Sequence, residues 1–236
     1  MKKITLIVTL LLSISSIAQY SGIIATYRLI LSENKESKLD KMFFESINDL
    51  HKISDEFEFV LKSNKNKSLF YLQNKLYTQE NIANYALLRS NYQGRSLQTI
   101  NDTYLEYDSD FLQKKVIVKN KKPKWKLHNE KKTINNYVCF KATTIYKVVN
   151  TAGVFENIVE AWYCPEINSP FGPIGYGGLP GLIFELKIKD AVYGLKNIRF
   201  LKEEKTEIED LKNYAIITQE ELNGEAKEIY ENSIKQ

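Results

Sequence analysis

Histidine and cysteine each occur only twice in the 236 residues, which narrows the chemistry open to this chain. A serine nucleophile needs an adjacent base, and neither His51 nor His128 lies near a nucleophile-elbow sequence. Two cysteines and two distant histidines form no ligand cluster, so no metal site is expected. A phosphate cradle also fails. Gly175 and Gly177 are followed at the third required position by Pro180, and the segment runs into an expected strand instead of a helix. No cofactor is expected. Carboxylates remain: Glu160 and Glu166 flank Trp162 and are the nearest approach to an acid–base pair, although sheet surfaces carry such residues routinely.

Between Cys164 and Gly181 the chain concentrates four of its five prolines and half of its ten glycines. Proline fixes φ and glycine permits positive φ, so this composition describes a long loop of rigid turns. Two readings stay open: a binding loop, or a strand-to-strand crossover that needs tight turns for architectural reasons. On the first, Trp162, Tyr163, Glu166, Phe171, Tyr176, Leu179 and Pro180 are the candidate binding residues, and none is assigned a catalytic role. Cys139 and Cys164 are expected to pair. A hairpin centred on residues 150–153 sets them opposite each other, at a separation a disulfide can span.

The elements that must position these residues are mostly strands. Residues 23–31, 57–61, 68–72, 103–107, 114–119, 124–128, 137–147, 157–164, 182–189 and 192–201 alternate apolar with polar side chains. Residues 103–164 read as a meander. Leu39, Met42, Phe43, Ile47 and Leu50 recur at helical spacing over residues 38–52, and a weaker helical pattern covers 79–93. Thr218 and Glu221 have capping-box spacing ahead of Leu222, Ala226 and Ile229, which predicts a C-terminal helix. The order lacks βαβ alternation and disfavours a parallel sheet. The expected fold is a single curved antiparallel sheet, half-barrel-like, covered by helix 38–52.

Lys2 and Lys3 precede a short apolar run that ends at Ser16-Ile17-Ala18, the pattern of a signal peptide over residues 1–18. Residues 19–236 then form one β-rich domain, exported to the periplasm or cell surface, with no transmembrane segment expected. Without Lys2 and Lys3 the formal charge falls from +4 to +2, too little to imply a nucleic-acid partner. The lysine run from Lys114 to Lys132 reads either as contact with anionic envelope material or as solvated strand edges balanced by acids at 203–210.

Gly178-Leu179-Pro180-Gly181-Leu182-Ile183 resembles the hexapeptide of the GLPGLI family of exported proteins, found chiefly in Bacteroidota. Trp125-Lys126-Leu127, residues 132–139, Ala161-Trp162-Tyr163-Cys164-Pro165-Glu166-Ile167 and Phe171-Gly172-Pro173 fit the same pattern. Asn168 departs from a common proline, and Cys164 from a common threonine. The resemblance implies an exported envelope protein of unassigned molecular function and supplies no catalytic residues. Two functions are carried forward. One is non-catalytic binding of an apolar small molecule, a peptide or an envelope protein; the other is an envelope hydrolase using carboxylate acid–base residues.

Overall fold

Ile23, Ala25, Tyr27, Leu29 and Leu31 are all buried, which gives β1 (Gly22–Leu31) one continuous apolar face. The computed structural model describes residues 20–32, 54–77, 79–109, 114–150, 153–202 and 207–234. The signal peptide and helix 38–52 therefore lie outside the described residues. β1 pairs on one side with β2 (Phe59–Asn64), which hairpins into β3 (Lys67–Leu72) through a turn closed by the Asn64 side chain. A helix, α1 (Glu80–Arg89), follows and buries Ala83 and Ala86. Next come β4 (Ser96–Thr99), β5 (Asp102–Ser109) and β6 (Lys114–Lys121).

The second half runs β7 (Lys126–Ile134), β8 (Tyr137–Asn150), β9 (Gly153–Cys164), β10 (Leu182–Ile188), β11 (Ala191–Leu201), β12 (Ala215–Thr218) and α2 (Gln219–Ile234). Asn135 and Asn136, both at positive φ, make the two-residue turn from β7 to β8. β11 returns to the other side of β1, so the strand order is β12-β6-β5-β4-β3-β2-β1-β11-β10-β9-β8-β7.

This is one open sheet of 12 strands. Two expectations need correction. The sheet is mixed, because β12 runs parallel to β6, from Ala215 opposite Val116 to Thr218 opposite Lys119. The meander is also broken, since β6 and β7 are consecutive in sequence yet stand ten places apart in the sheet.

That break dictates the shape. In a flat sheet ten strand spacings cover about 48 Å. Residues 122–125, which link β6 to β7, reach about 18 Å at full extension. The sheet must therefore curl enough to bring β6 and β7 within that reach. Its interior is filled by an aromatic cluster in which Phe59 stacks on Phe70 at 5.7 Å and meets the edge of Tyr193 at 5.0 Å. The Tyr193 hydroxyl donates to the Ser90 carbonyl at 2.9 Å, which ties the end of α1 to this core.

Among the described residues, no helix is long and apolar enough to cross a membrane. Part of the lysine run is paired with carboxylates: Lys114 with Glu225, Lys115 with Asp108, Lys119 with Asp102 and Lys132 with Glu185. The acids Glu209 and Asp210 instead meet Arg95 and Lys67, so they do not balance that run.

Candidate functional site

The proline- and glycine-rich segment enters the curl and is held there by its backbone. The Gln98 side chain donates to the Gly172 carbonyl at 2.7 Å, Thr103 Oγ1 to the Gly175 carbonyl at 3.0 Å, and Trp125 Nε1 to the Gly177 carbonyl at 2.9 Å. Tyr27 donates its hydroxyl to the Ile183 carbonyl at 2.7 Å. Strands β4 and β5 and the β6–β7 link thus hold the same segment, while β1 ties down the start of β10 that follows it. Burying so irregular a backbone would leave many polar groups unsatisfied, and these donors remove that cost. Ile167, Phe171 and Leu179 anchor the segment in the core with 3%, 0% and 1% exposure.

At its centre, residues 173–175 form a single 3-10 turn in which Ile174 adopts φ 42° and ψ 38°. A β-branched residue in the left-handed region is strained, and here it borders a cavity of about 590 Å³. The floor comes from Ile174, Gly175 and Tyr176. β5 and β6 supply Thr103, Leu105, Tyr107, Val118 and Asn120, while Ile145, Tyr146 and Lys147 of β8 and Ile188 of β10 stand across from them. α2 closes a side with Gln219, Leu222, Asn223 and Ala226, positions that share one helical face. The volume is that of a small-molecule site. Burial pushes the Tyr176 hydroxyl well above the usual tyrosine range, so it stays protonated and can donate.

The wall contains no carboxylate, histidine or cysteine among the described residues. Its polar groups are amides, hydroxyls and the amines of Lys121 and Lys147. Such a set can hold a ligand by hydrogen bonds and apolar contact, but it offers no carboxylate acid–base pair.

The structure does not bring the seven candidate binding residues together. Only Tyr176 lines the cavity. Phe171 and Leu179 are core, while Glu166 and Pro180 are exposed on turns. Tyr163 packs near Phe140 at 6.1 Å. Trp162 lies beneath Lys132, whose amine is 4.4 Å from the ring, and donates Nε1–H to Glu160 at 2.9 Å. Partial burial pushes the Glu160 carboxyl up, but the Trp162 and Lys141 hydrogen bonds and the lysine charges outweigh it and hold the group below the usual carboxylate range. A general acid needs the opposite shift.

The expected disulfide is not formed, because Cys139 and Cys164 are buried free thiols. Phe140 pairs with Tyr163, so the register does carry the cysteines to adjoining positions. Their sulfurs are hydrogen-bonded without being joined: Cys139 donates to the Tyr137 carbonyl at 3.8 Å, and Cys164 accepts from the amides of Glu166 and Ile167 and meets the Cys139 thiol. Burial pushes the Cys139 thiol up to about 12, which leaves little thiolate for exchange. Folded reduced protein should therefore resist iodoacetamide. Alkylation of both thiols in the folded protein as fast as in the urea-unfolded chain would overturn this expectation.

A curled, mostly antiparallel sheet with an internal plug and a carboxylate-free cavity defines the class of this protein. Residues 150–185 match a family described as "Protein of unknown function (Porph_ging)", a stretch that contains the 178–183 hexapeptide. No curated protein matches the chain. Among solved structures, PNGF-II in a P21 crystal form is similar with a TM-score of 0.50 and 15% identity, over 89% of this chain and 34% of that one. The same protein in a C2 form gives 0.49 and 14%, over 88% and 33%. The likeness is one of fold, and this chain spans about a third of the length of PNGF-II.

Proposed function

We propose that this chain is a non-catalytic binding protein whose half-barrel-like sheet holds an apolar or amphiphilic ligand in the cavity above the 173–175 turn. The carrying observation is the wall itself: about 590 Å³ lined by aliphatic, aromatic, amide, hydroxyl and lysine amine groups, with no carboxylate, histidine or cysteine among the described residues. The hydrolase alternative loses support at the same point. Its nominated Glu160 is committed to Trp162 and Lys141, and Glu166 lies exposed away from the cavity. The signal-peptide pattern at residues 1–18 and the GLPGLI-like hexapeptide support export of one mature domain, residues 19–236, to the periplasm or cell surface.

Native mass spectrometry of the protein purified from its own cells tests this. The wild type should carry a noncovalent adduct, and Ala226→Trp, which places an indole in the cavity, should lose it while keeping the wild-type circular dichroism. A wild type at its bare calculated mass, with no small molecule retained, would overturn the cavity assignment.

A further inference from the structure

We propose that the cavity takes a single-chain amphiphile with an anionic head group, held at Lys121 and Lys147. The inference rests on the cavity-binding function above and names its ligand class.

The asymmetry of charge around the wall carries it. Both formally charged lining residues are lysines. Lys121 has no ion-pair partner among the described residues, and Lys147 meets Glu156 at 2.7 Å in a pair that is half or more exposed on both sides. An exposed pair of this kind is weakly held and can exchange for a ligand anion. A third amine, that of Lys189, stands 5.8 Å over the ring of Tyr146, itself a wall residue.

α2 sharpens the asymmetry. It is rich in acids, yet it turns Gln219, Leu222, Asn223 and Ala226 to the cavity and leaves Glu220, Glu221 and Glu228 exposed. An anion therefore meets amines at this wall without facing the helix's carboxylates.

The remaining wall suits the rest of such a molecule. Leu105, Val118, Ile188 and Leu222 give a hydrocarbon chain an apolar surface. Ser96 Oγ is buried, borders the cavity and has no hydrogen-bond partner among the described residues, a cost that a ligand oxygen would relieve. A cationic head would be repelled by the same amines, and an uncharged hydroxyl would gain a hydrogen bond from them but no charge attraction.

Calorimetric titration of the full chain with dodecanoate, dodecanol and dodecyltrimethylammonium, below their micelle concentrations and at low salt, separates the contributions. Dodecanoate should bind about tenfold or more tighter than dodecanol, with the ammonium weakest. The double variant Lys121→Gln, Lys147→Gln should lose that preference while still binding dodecanol. Equal affinity for all three in the wild type would overturn the head-group assignment and leave the cavity function standing. Binding of none would overturn both, and dodecanoate affinity unchanged in Ala226→Trp would place the site elsewhere and overturn the proposal.

Discussion

Gly181→Ala should lower the melting temperature by about 10 °C or leave the chain insoluble. Gly181 sits at φ +153°, and a Cβ there would drive into the carbonyl oxygen of Cys164, with its carbon 2.6 Å away and Pro165 Cα at 2.9 Å. Neither obstacle is a side chain that can swing aside. The residue is also pinned on both sides. Its amide donates to the Leu179 carbonyl at 2.8 Å, and the next amide, of Leu182, donates to Ile167 at 3.2 Å. Backbone strain of this kind costs about 1–3 kcal/mol and an unrelieved overlap adds a similar amount. Together they give about 3 kcal/mol or more, which for a chain of this size corresponds to the stated shift. Gly178→Ala is the control. Its φ is +87°, but the nearest atom to a Cβ would be Lys122 Cβ at 3.7 Å, so only the backbone penalty of about 1 kcal/mol applies. Thermal denaturation of the two variants should separate them clearly. Equal, small losses would mean that the hexapeptide glycines serve turn geometry alone.

That pair of positions explains how far the sequence could be read. A strand with a clean apolar face was legible because alternating apolar residues imply period-two burial, as in β1, where Ile23, Ala25, Tyr27, Leu29 and Leu31 are buried. α2 was legible through its cap: Glu221 Oε2 accepts from the Thr218 amide at 2.6 Å, and Thr218 Oγ1 accepts from the Glu221 amide at 3.2 Å. β4 was not, for a physical reason. Its inward residues are Ser96 and Gln98, buried at 1% and 0% exposure, so its pattern is inverted relative to an apolar core. Gln98 faces inward to bind the Gly172 carbonyl of a segment 74 positions later, and no local signal announces that partner. β12 escaped notice because it is four residues long and pairs in parallel with a distant strand. The proline and glycine content of Cys164 to Gly181 marks an irregular segment of turns, and its deep anchoring in the core favours the architectural role. The cavity itself was invisible, since β5, β6, β8, β10 and α2 meet there only once the sheet curls.

The same buried polar system gives the second large effect. Lys122 Nζ donates to Gln98 Oε1 at 2.7 Å and lies 5.4 Å over the ring of Phe171, while Gln98 in turn donates to Gly172. Gln98→Leu removes the acceptor of a largely buried ammonium and orphans a buried carbonyl, which should cost about 2–4 kcal/mol. Burial lowers the Lys122 amine to about 8, with Asp102 opposing. Below that pH the folded and unfolded chains both carry the charge and the cost of burying it is fully felt. From about pH 8 up to the usual lysine range the folded chain sheds a proton that the unfolded chain keeps, so this group makes stability rise with pH. The buried Cys139 thiol acts oppositely above about pH 9, because the unfolded chain then loses a proton that the folded chain retains. Subtracting Lys122→Met from the wild type in urea titrations isolates the lysine. The stability difference should shift in favour of the wild type by about 2 kcal/mol between pH 7 and pH 10, allowing for partial solvent screening. Because the two side chains act as a unit, Gln98→Leu should also cost less in the Lys122→Met background by about 1 kcal/mol or more. A pH-independent difference together with additive losses would mean that the ammonium is solvated and that Gln98 alone holds the segment.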